Sequence, residues 1–388
     1  MALSPLSLLG VAAATSLLSG AATPVPAAPA IVGYVFTRNA VLAPGSIDAR
    51  SMTRINYAFA NIAEGRIVAG APADEENFKQ LNALKRDNPA LTVLVSVGGW
   101  TWSGNFSDAV LTAQSRKIFV NSAVDFLRRY ELDGLDIDWE YPGMKGAGNR
   151  FRQEDGHNFT LALKQLRKAF DHETKKTHRR LYLTIAAGAS DAYLAHSEMG
   201  KDQKYLDTVN LMAYDYFEPG SDPLTGHNSP LFTNPADTRG LSSEVSVKAF
   251  ERAGVPAAKI LLGVPFYGHA WGEVADVDHG LFQPGKAAPH GAVPHGMSAE
   301  QMLALGYSRY WDAAAAVPYL YNPQTHVWFS YEDTESVAGK CRYVKDHKLG
   351  GIMFWEYSSD PSGALLKTIN QTLRGVAGDE KAQDLPAQ

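Results

Sequence analysis

The chain has a single cysteine, Cys341, among 388 residues, so no intrachain disulfide can form and a disulfide scaffold is excluded. It has no excess of positive charge. The formal net charge is -5, which removes the electrostatic reason to expect nucleic acid or an anionic membrane as partner, since phosphate binding needs a cationic face. Beyond residue 30 there is no run of about 18 apolar residues, so no later segment is expected to span a membrane. Charged side chains are missing from the first 30 residues altogether. That stretch is apolar from Leu6 to Leu18, then small and proline-rich (AATPVPAAPA) before Ile31. It reads as a signal peptide in which the amino-terminal charge stands in for a basic n-region, with cleavage after Ala22 or Ala30. A secreted or periplasmic protein is the expectation.

What is present fits a soluble globular chain: 45% hydrophobic and 20% charged residues, with 34 Gly and 21 Pro implying many tight turns. Without residues 1–30, about 360 residues remain, enough for one large domain or two ordinary ones. Eight short segments rich in β-branched and aromatic residues recur, beginning at Ala30, Thr53, Leu91, Leu132, Leu181, Thr208, Lys259 and Gly350. Helical periodicity fills most of the gaps between them. Phe159, Leu163, Leu166 and Phe170 share one helix face, and so do Leu365, Leu366, Ile369 and Leu373. Eight strands alternating with helices predict an α/β fold, a closed (β/α)8 TIM barrel over residues 31–375.

The interval 269–330, rich in Gly, Pro, His and aromatics, breaks this rhythm and reads as a small inserted subdomain between the seventh and eighth strands. Following a strand, it belongs on the C-terminal face of the barrel, where it would wall the cleft. Val337, Cys341 and Val344 form an i, i+4, i+7 stripe, so Cys341 is expected to be a buried apolar thiol. Residues 376–388 read as a flexible, solvated tail. No internal repeat or appended binding module is evident, no segment specifies an oligomer, and a monomer is expected.

The chemistry concentrates in LDGLDIDWEYP, Leu132 to Pro142. Side chains alternate along a strand, so Asp136, Asp138 and Glu140 share one face while Leu135, Ile137 and Trp139 share the other. Three carboxyl groups therefore climb the barrel interior toward its mouth, with successive Cα positions roughly 6 to 7 Å apart. Neighbouring anions in a partly buried site repel one another, so at least one proton is retained and the titration belongs to the group. A proton on Glu140, nearest the mouth, supplies a general acid near neutral pH. The alternatives are carboxylates satisfied within the core, or a calcium or magnesium site, which would recruit further oxygen ligands.

Asp133, Asp136, Asp138 and Glu140 fit the DxxDxDxE signature of glycoside hydrolase family 18, the family of many chitinases, and the match continues through Tyr141 and Pro142. Other segments resemble the family's strand motifs: SVGGW at Ser96–Trp100, MAYDY at Met212–Tyr216, GVPFYG at Gly263–Gly268 and FWEYSSD from Phe354. The resemblance covers about residues 31 to 375 and includes the α+β insertion that some chitinases of the family carry. It implies that Glu140 protonates the glycosidic oxygen while the acetamido oxygen of the −1 sugar attacks its own anomeric carbon, giving an oxazolinium intermediate and net retention. Asp138 would orient the acetamido group, helped by Asp136 beneath it, and Glu140 would then act as base toward water. Tyr214 and Asp215 match residues holding the acetamido group, with Met212 below them, and Trp355 matches the floor of the −1 subsite. Tyr34, Phe59 and Ser96 would line the same pocket, with Trp100 and Trp102 as sugar platforms outside it.

The resemblance implies chitin or N-acetylglucosamine oligosaccharides as substrate, with no cofactor and no metal. Two other substrate classes stay open, the N-glycans of an endo-β-N-acetylglucosaminidase and peptidoglycan. A non-catalytic chitin-binding lectin is a further alternative, disfavoured because the proton donor is intact.

Overall fold

The computed structural model of the chain describes residues 28–289, 291–293 and 299–375; most of the expected signal peptide and the whole expected tail lie outside the described residues. Each segment expected to be a strand forms one. The barrel strands are β1 (Ala30–Phe36), β2 (Arg54–Ala63), β4 (Thr92–Gly98), β5 (Gly134–Asp138), β6 (Tyr182–Gly188), β7 (Thr208–Met212), β8 (Ile260–Pro265) and β14 (Gly351–Trp355), while β3 (Arg66–Val68) forms a hairpin with β2. They pair in parallel in the order β1-β14-β8-β7-β6-β5-β4-β2, and pairing of β1 with β2 closes the cylinder. Closure leaves no open edge in this sheet. Ala30, one of the two expected cleavage residues, is already in β1, with its N–H on the Gly350 carbonyl at 2.9 Å.

Alternation along the strands sorts the side chains into two environments. Outward-facing Leu135, Ile137 and Trp139 are fully buried under the helices. The Trp139 ring stacks on Phe106 and meets Phe159 edge-on, with centroids at 5.1 and 5.4 Å. The helix Asp155–Thr177 presents Phe159, Leu163, Leu166 and Phe170 to this layer, all buried as their spacing predicts. Inside the barrel, Val32, Tyr34, Ala58, Leu261 and Met353 form a separate cluster, against which Phe59, Met212, Tyr214 and Trp355 pack. Cys341 is buried in the helix Thr334–Asp346, and burial pushes its thiol up to about 12, so it behaves as an inert apolar group.

Between β8 and β14 the chain builds a second, antiparallel sheet from β9 (His269–Gly272), β10 (Lys286–Ala287), β11 (Ser308–Asp312), β12 (Val317–Asn322) and β13 (Val327–Ser330), in the order β10-β9-β13-β12-β11. With the helix Ala299–Ala304 it makes the α+β insertion. Trp271, Trp328, Tyr319 and Tyr321 are buried on one of its faces. There the buried His227, from the loop after β7, packs on Trp328 and Tyr319, and its Nε2 lies 2.9 Å from Asp312 Oδ2. Beside the insertion, a cavity of about 920 Å³ is lined by Tyr267, Ala270, Met302, Phe329, Asp360 and Leu365, among others. The insertion and the segment after β14 that carries Asp360 and Leu365 thus share one concavity.

Candidate active site

The four acids of β5 and its flanks occupy four levels of the barrel. Asp133, at the bottom, takes the Val93 N–H at 2.8 Å and pairs with Lys85 at 2.5 Å and Arg179 at 3.2 Å. Its job is to tie strands together. Asp136, fully buried, accepts from Tyr34 Oη and Ser96 Oγ at Oδ2, both 2.8 Å, and from Thr184 Oγ1 (2.5 Å) and Asn210 Nδ2 (3.0 Å) at Oδ1. Burial pushes this carboxyl up, and the hydrogen bonds together with the Arg54 charge oppose that push. Four donors around one carboxylate suit an anion and leave no lone pairs for a cation.

Asp138 differs sharply. It is 4% exposed and its Oδ1 has no hydrogen-bond partner. Burial, then the charges of Glu140 and Asp136, hold its proton well above the usual carboxylate range. Regular pairing of β5 ends here, where the Gly99 N–H donates to the Asp138 carbonyl at 2.7 Å. Gly98 makes this close approach possible: at φ +107° a Cβ would sit 2.2 Å from the Asp138 carbonyl oxygen. Glu140 therefore lies two residues beyond the strand rather than within it, held by its own N–H on Ser103 Oγ (2.9 Å) and by Asn149 Nδ2 on its carbonyl (2.9 Å). Burial pushes the Glu140 carboxyl up to about 7; a hydrogen bond from Tyr141 opposes this, and the charges of Asp215 and Glu218 add to it. The arrangement supplies a protonated acid at neutral pH above a second proton-retaining carboxyl.

The expected pocket residues gather around this ladder. Trp355 stacks on Phe59 (5.4 Å between centroids) and lies 5.6 Å from Tyr34, in the cluster that includes Met212 and Tyr214. Ser96 and Tyr34 reach the site through Asp136. Trp100, 52% exposed, sits at the rim with its ring 6.4 Å from Tyr141. Trp102, half-buried, covers Gly70 in the loop after β3, where an added Cβ would be 2.3 Å from its ring and 2.4 Å from the Phe59 carbonyl oxygen. Asp215 adopts the left-handed conformation (φ 57°). Its Oδ1 accepts from Tyr267 Oη at 2.6 Å and lies 2.8 Å from His269 Nε2. Neither Tyr267 nor His269 was singled out by the sequence, although Tyr267 lies inside the GVPFYG segment. Among the described residues, the His and carboxylate atoms close enough together to hold a cation are those of Asp215, Glu218 and His269, within 4.8 Å, rather than the carboxylates of the ladder.

A closed parallel barrel with a proton-holding carboxylate ladder at its C-terminal mouth defines the class, a (β/α)8 protein with the apparatus of a glycosidase. The sequence profile of glycosyl hydrolases family 18 matches residues 30–360, and the chain belongs to that family. Chitinase A1 of Niallia circulans is 36% identical over 92% of this chain, which spans 62% of that relative's length. A solved family 18 N-acetylglucosaminidase from Paenibacillus barengoltzii is 40% identical, with a TM-score of 0.80, covering 89% of this chain and 100% of its own. Human YKL-39, a pseudo-chitinase with retained chitooligosaccharide binding, is 28% identical, with a TM-score of 0.80 over 89% of this chain and 100% of its own.

Proposed function

We propose that this chain is a chitinase that hydrolyses β-1,4 linkages between N-acetylglucosamine units by substrate-assisted, retaining catalysis. Glu140 gives its proton to the glycosidic oxygen. The acetamido oxygen of the −1 sugar attacks its own anomeric carbon, and Asp138 orients the acetamido group by accepting its N–H at the Oδ1 that has no other partner. Asp136, held by its four donors, sits beneath as the fixed negative neighbour. Glu140, now ionised, removes a proton from the water that opens the ring. Tyr214 and Asp215 grip the acetamido group with Tyr267 steadying Asp215, and the Trp355 ring carries the apolar face of the sugar.

The observation that carries this reading is the pair of carboxyls at the mouth, Asp138 with its proton held by burial and by its neighbours' charge, and Glu140 pushed up to about 7. General acid catalysis is most effective when the pKa of the acid lies near the working pH. The test is hydrolysis of the N-acetylglucosamine tetramer and hexamer with and without EDTA, following the products and the anomer first released. Metal-independent cleavage with retained β configuration is expected. Loss of activity with EDTA, or an inverted product, overturns the mechanism; tight binding without cleavage makes the chain a lectin.

The likeness to an N-acetylglucosaminidase over that enzyme's whole length favours a second reading, release of single sugars from oligomer ends. Monomer as first product from the hexamer supports it, and dimers or longer products support the chitinase. Export rests on the leader, and cleavage after Ala22 would keep Ala30 in β1. Among the described residues no helix is long and apolar enough to cross a membrane.

A further inference from the structure

Thirteen residues beyond Asp215, a loop returns to the site and places one buried amide among three elements. Asn228 is 1% exposed. Its Oδ1 accepts the Asp215 N–H at 2.8 Å, and its Nδ2 donates to the Tyr267 carbonyl at 3.4 Å. Its backbone N–H donates to Ser330 Oγ of β13 at 2.8 Å, and its carbonyl accepts from Tyr216 at 3.1 Å. The two residues it holds by their backbones meet at their side chains, where Tyr267 Oη donates to Asp215 Oδ1 at 2.6 Å. Asp215 stands beyond the end of β7 in the left-handed region, where no strand neighbour serves its N–H, and the Asn228 amide oxygen takes that role.

The flanking residues are pinned as well. His227 Nε2 lies 2.9 Å from Asp312, and Ser229 Oγ donates to the Ala213 carbonyl at 2.6 Å. The buried Lys340 donates to the Ser229 carbonyl at 2.6 Å. An amide fixed on both sides transmits the position of the insertion to the rim of the barrel.

We propose that Asn228 is a positioning residue: it locks the backbones of Asp215 and Tyr267 so that the phenol holds the carboxylate in one preset position for the acetamido group, and it couples that grip to the insertion through Ser330. It does not touch substrate. The proposal rests on the reading above that Asp215 grips the acetamido group with Tyr267 steadying it. Without the amide, Asp215 and Tyr267 still exist but no longer converge, and misplacing a gripping group costs rate even where the reacting atoms are intact.

The experiment is a double-mutant cycle on kcat/KM for the N-acetylglucosamine hexamer, using wild type, Asn228→Ala, Tyr267→Phe and the double variant. Asn228→Ala is expected to lower kcat/KM about ten- to a hundredfold in the wild type but less than about threefold once Tyr267→Phe has already removed the phenol it aligns. Asn228→Asp keeps the acceptor for Asp215 while turning an anion toward the Tyr267 carbonyl, and it should be impaired in the same coupled way. It carries the cycle if the alanine variant fails to fold. An equal loss in both backgrounds, the behaviour of a merely structural residue, overturns the proposal, as does an unchanged kcat/KM. The wild-type rate tests the functional reading separately. If the wild type binds the hexamer without cleaving it, the same cycle on Kd decides Asn228; if it does neither, both ideas fall.

Discussion

Glu140 can donate a proton only while it holds one. With its carboxyl pushed up to about 7 by burial, the protonated fraction falls as pH rises through that value. The kcat/KM for the hexamer is therefore expected to drop about tenfold per pH unit on the alkaline side. A flat profile to about pH 9 would remove Glu140 as the donor. Glu140→Gln keeps shape and hydrogen-bonding capacity, so hexamer binding by calorimetry should persist while turnover falls by about 10²- to 10⁴-fold. A rate near that of wild type would sink the assignment. The ladder was legible because period-two alternation puts Asp136 and Asp138 on one face and points the next acid, Glu140, toward the same mouth. Tyr267 was not, because its role comes from a contact with Asp215, 52 residues away, that no local pattern encodes.

Elements meet around buried charge as well as apolar surface. Lys340 on the helix Thr334–Asp346 is fully buried and bonds Glu332, which follows β13, as well as Ser229. Burial pushes the two groups toward neutrality, the lysine down and the glutamate up, and their mutual attraction opposes this. Lys340→Met leaves Glu332 buried without a counter-charge, a change that costs about 3–5 kcal/mol. Urea unfolding should show a loss of that size, with most of it recovered in Lys340→Met combined with Glu332→Leu. A single-variant loss under about 1 kcal/mol would mean that the pair does not hold this junction. The strands and the helix faces could be read from runs and spacings, each within a dozen residues or so. The insertion could be located but its sheet could not be ordered, since β9 pairs with β13 across some fifty residues of intervening chain.

Across the whole molecule the raised carboxyls set the dependence of stability on pH. Glu140 is raised to about 7 and Asp202 to about 6 by burial, and Asp138 lies well above its usual value. A group raised by folding stabilises fully below its unfolded pKa and loses that contribution as pH rises through its folded value. Asp312 works the other way: hydrogen bonds from His227 and Asn234 outweigh burial and hold it at about 2, so its contribution is present above its unfolded pKa and disappears as pH falls toward 2. The thermal midpoint is therefore expected to be highest at mildly acidic pH and to fall between about pH 5 and pH 8. Glu140→Gln should be the more stable protein at the alkaline end and lose that advantage at the acid end. Scanning calorimetry across this range checks both, and a midpoint that rises toward pH 8 would contradict the burial of these acids.

The sequence by itself determined the scaffold and the placing of its acids: the spacing of carboxyl groups along one strand and its end, the eight alternating strands and helices, and a family signature spread along the barrel. All of these are local or periodic. The tertiary structure alone decided that Glu140 stands beyond the end of its strand, that Asp138 has an unpartnered oxygen while Asp136 has four donors, and that Trp102 packs over Gly70. It also brought Asp215 and Asn228, thirteen residues apart in the loop after β7, together with Tyr267 from beyond β8. These features depend on which groups meet after the barrel closes, and closure joins segments whose separation along the chain carries no repeating signal.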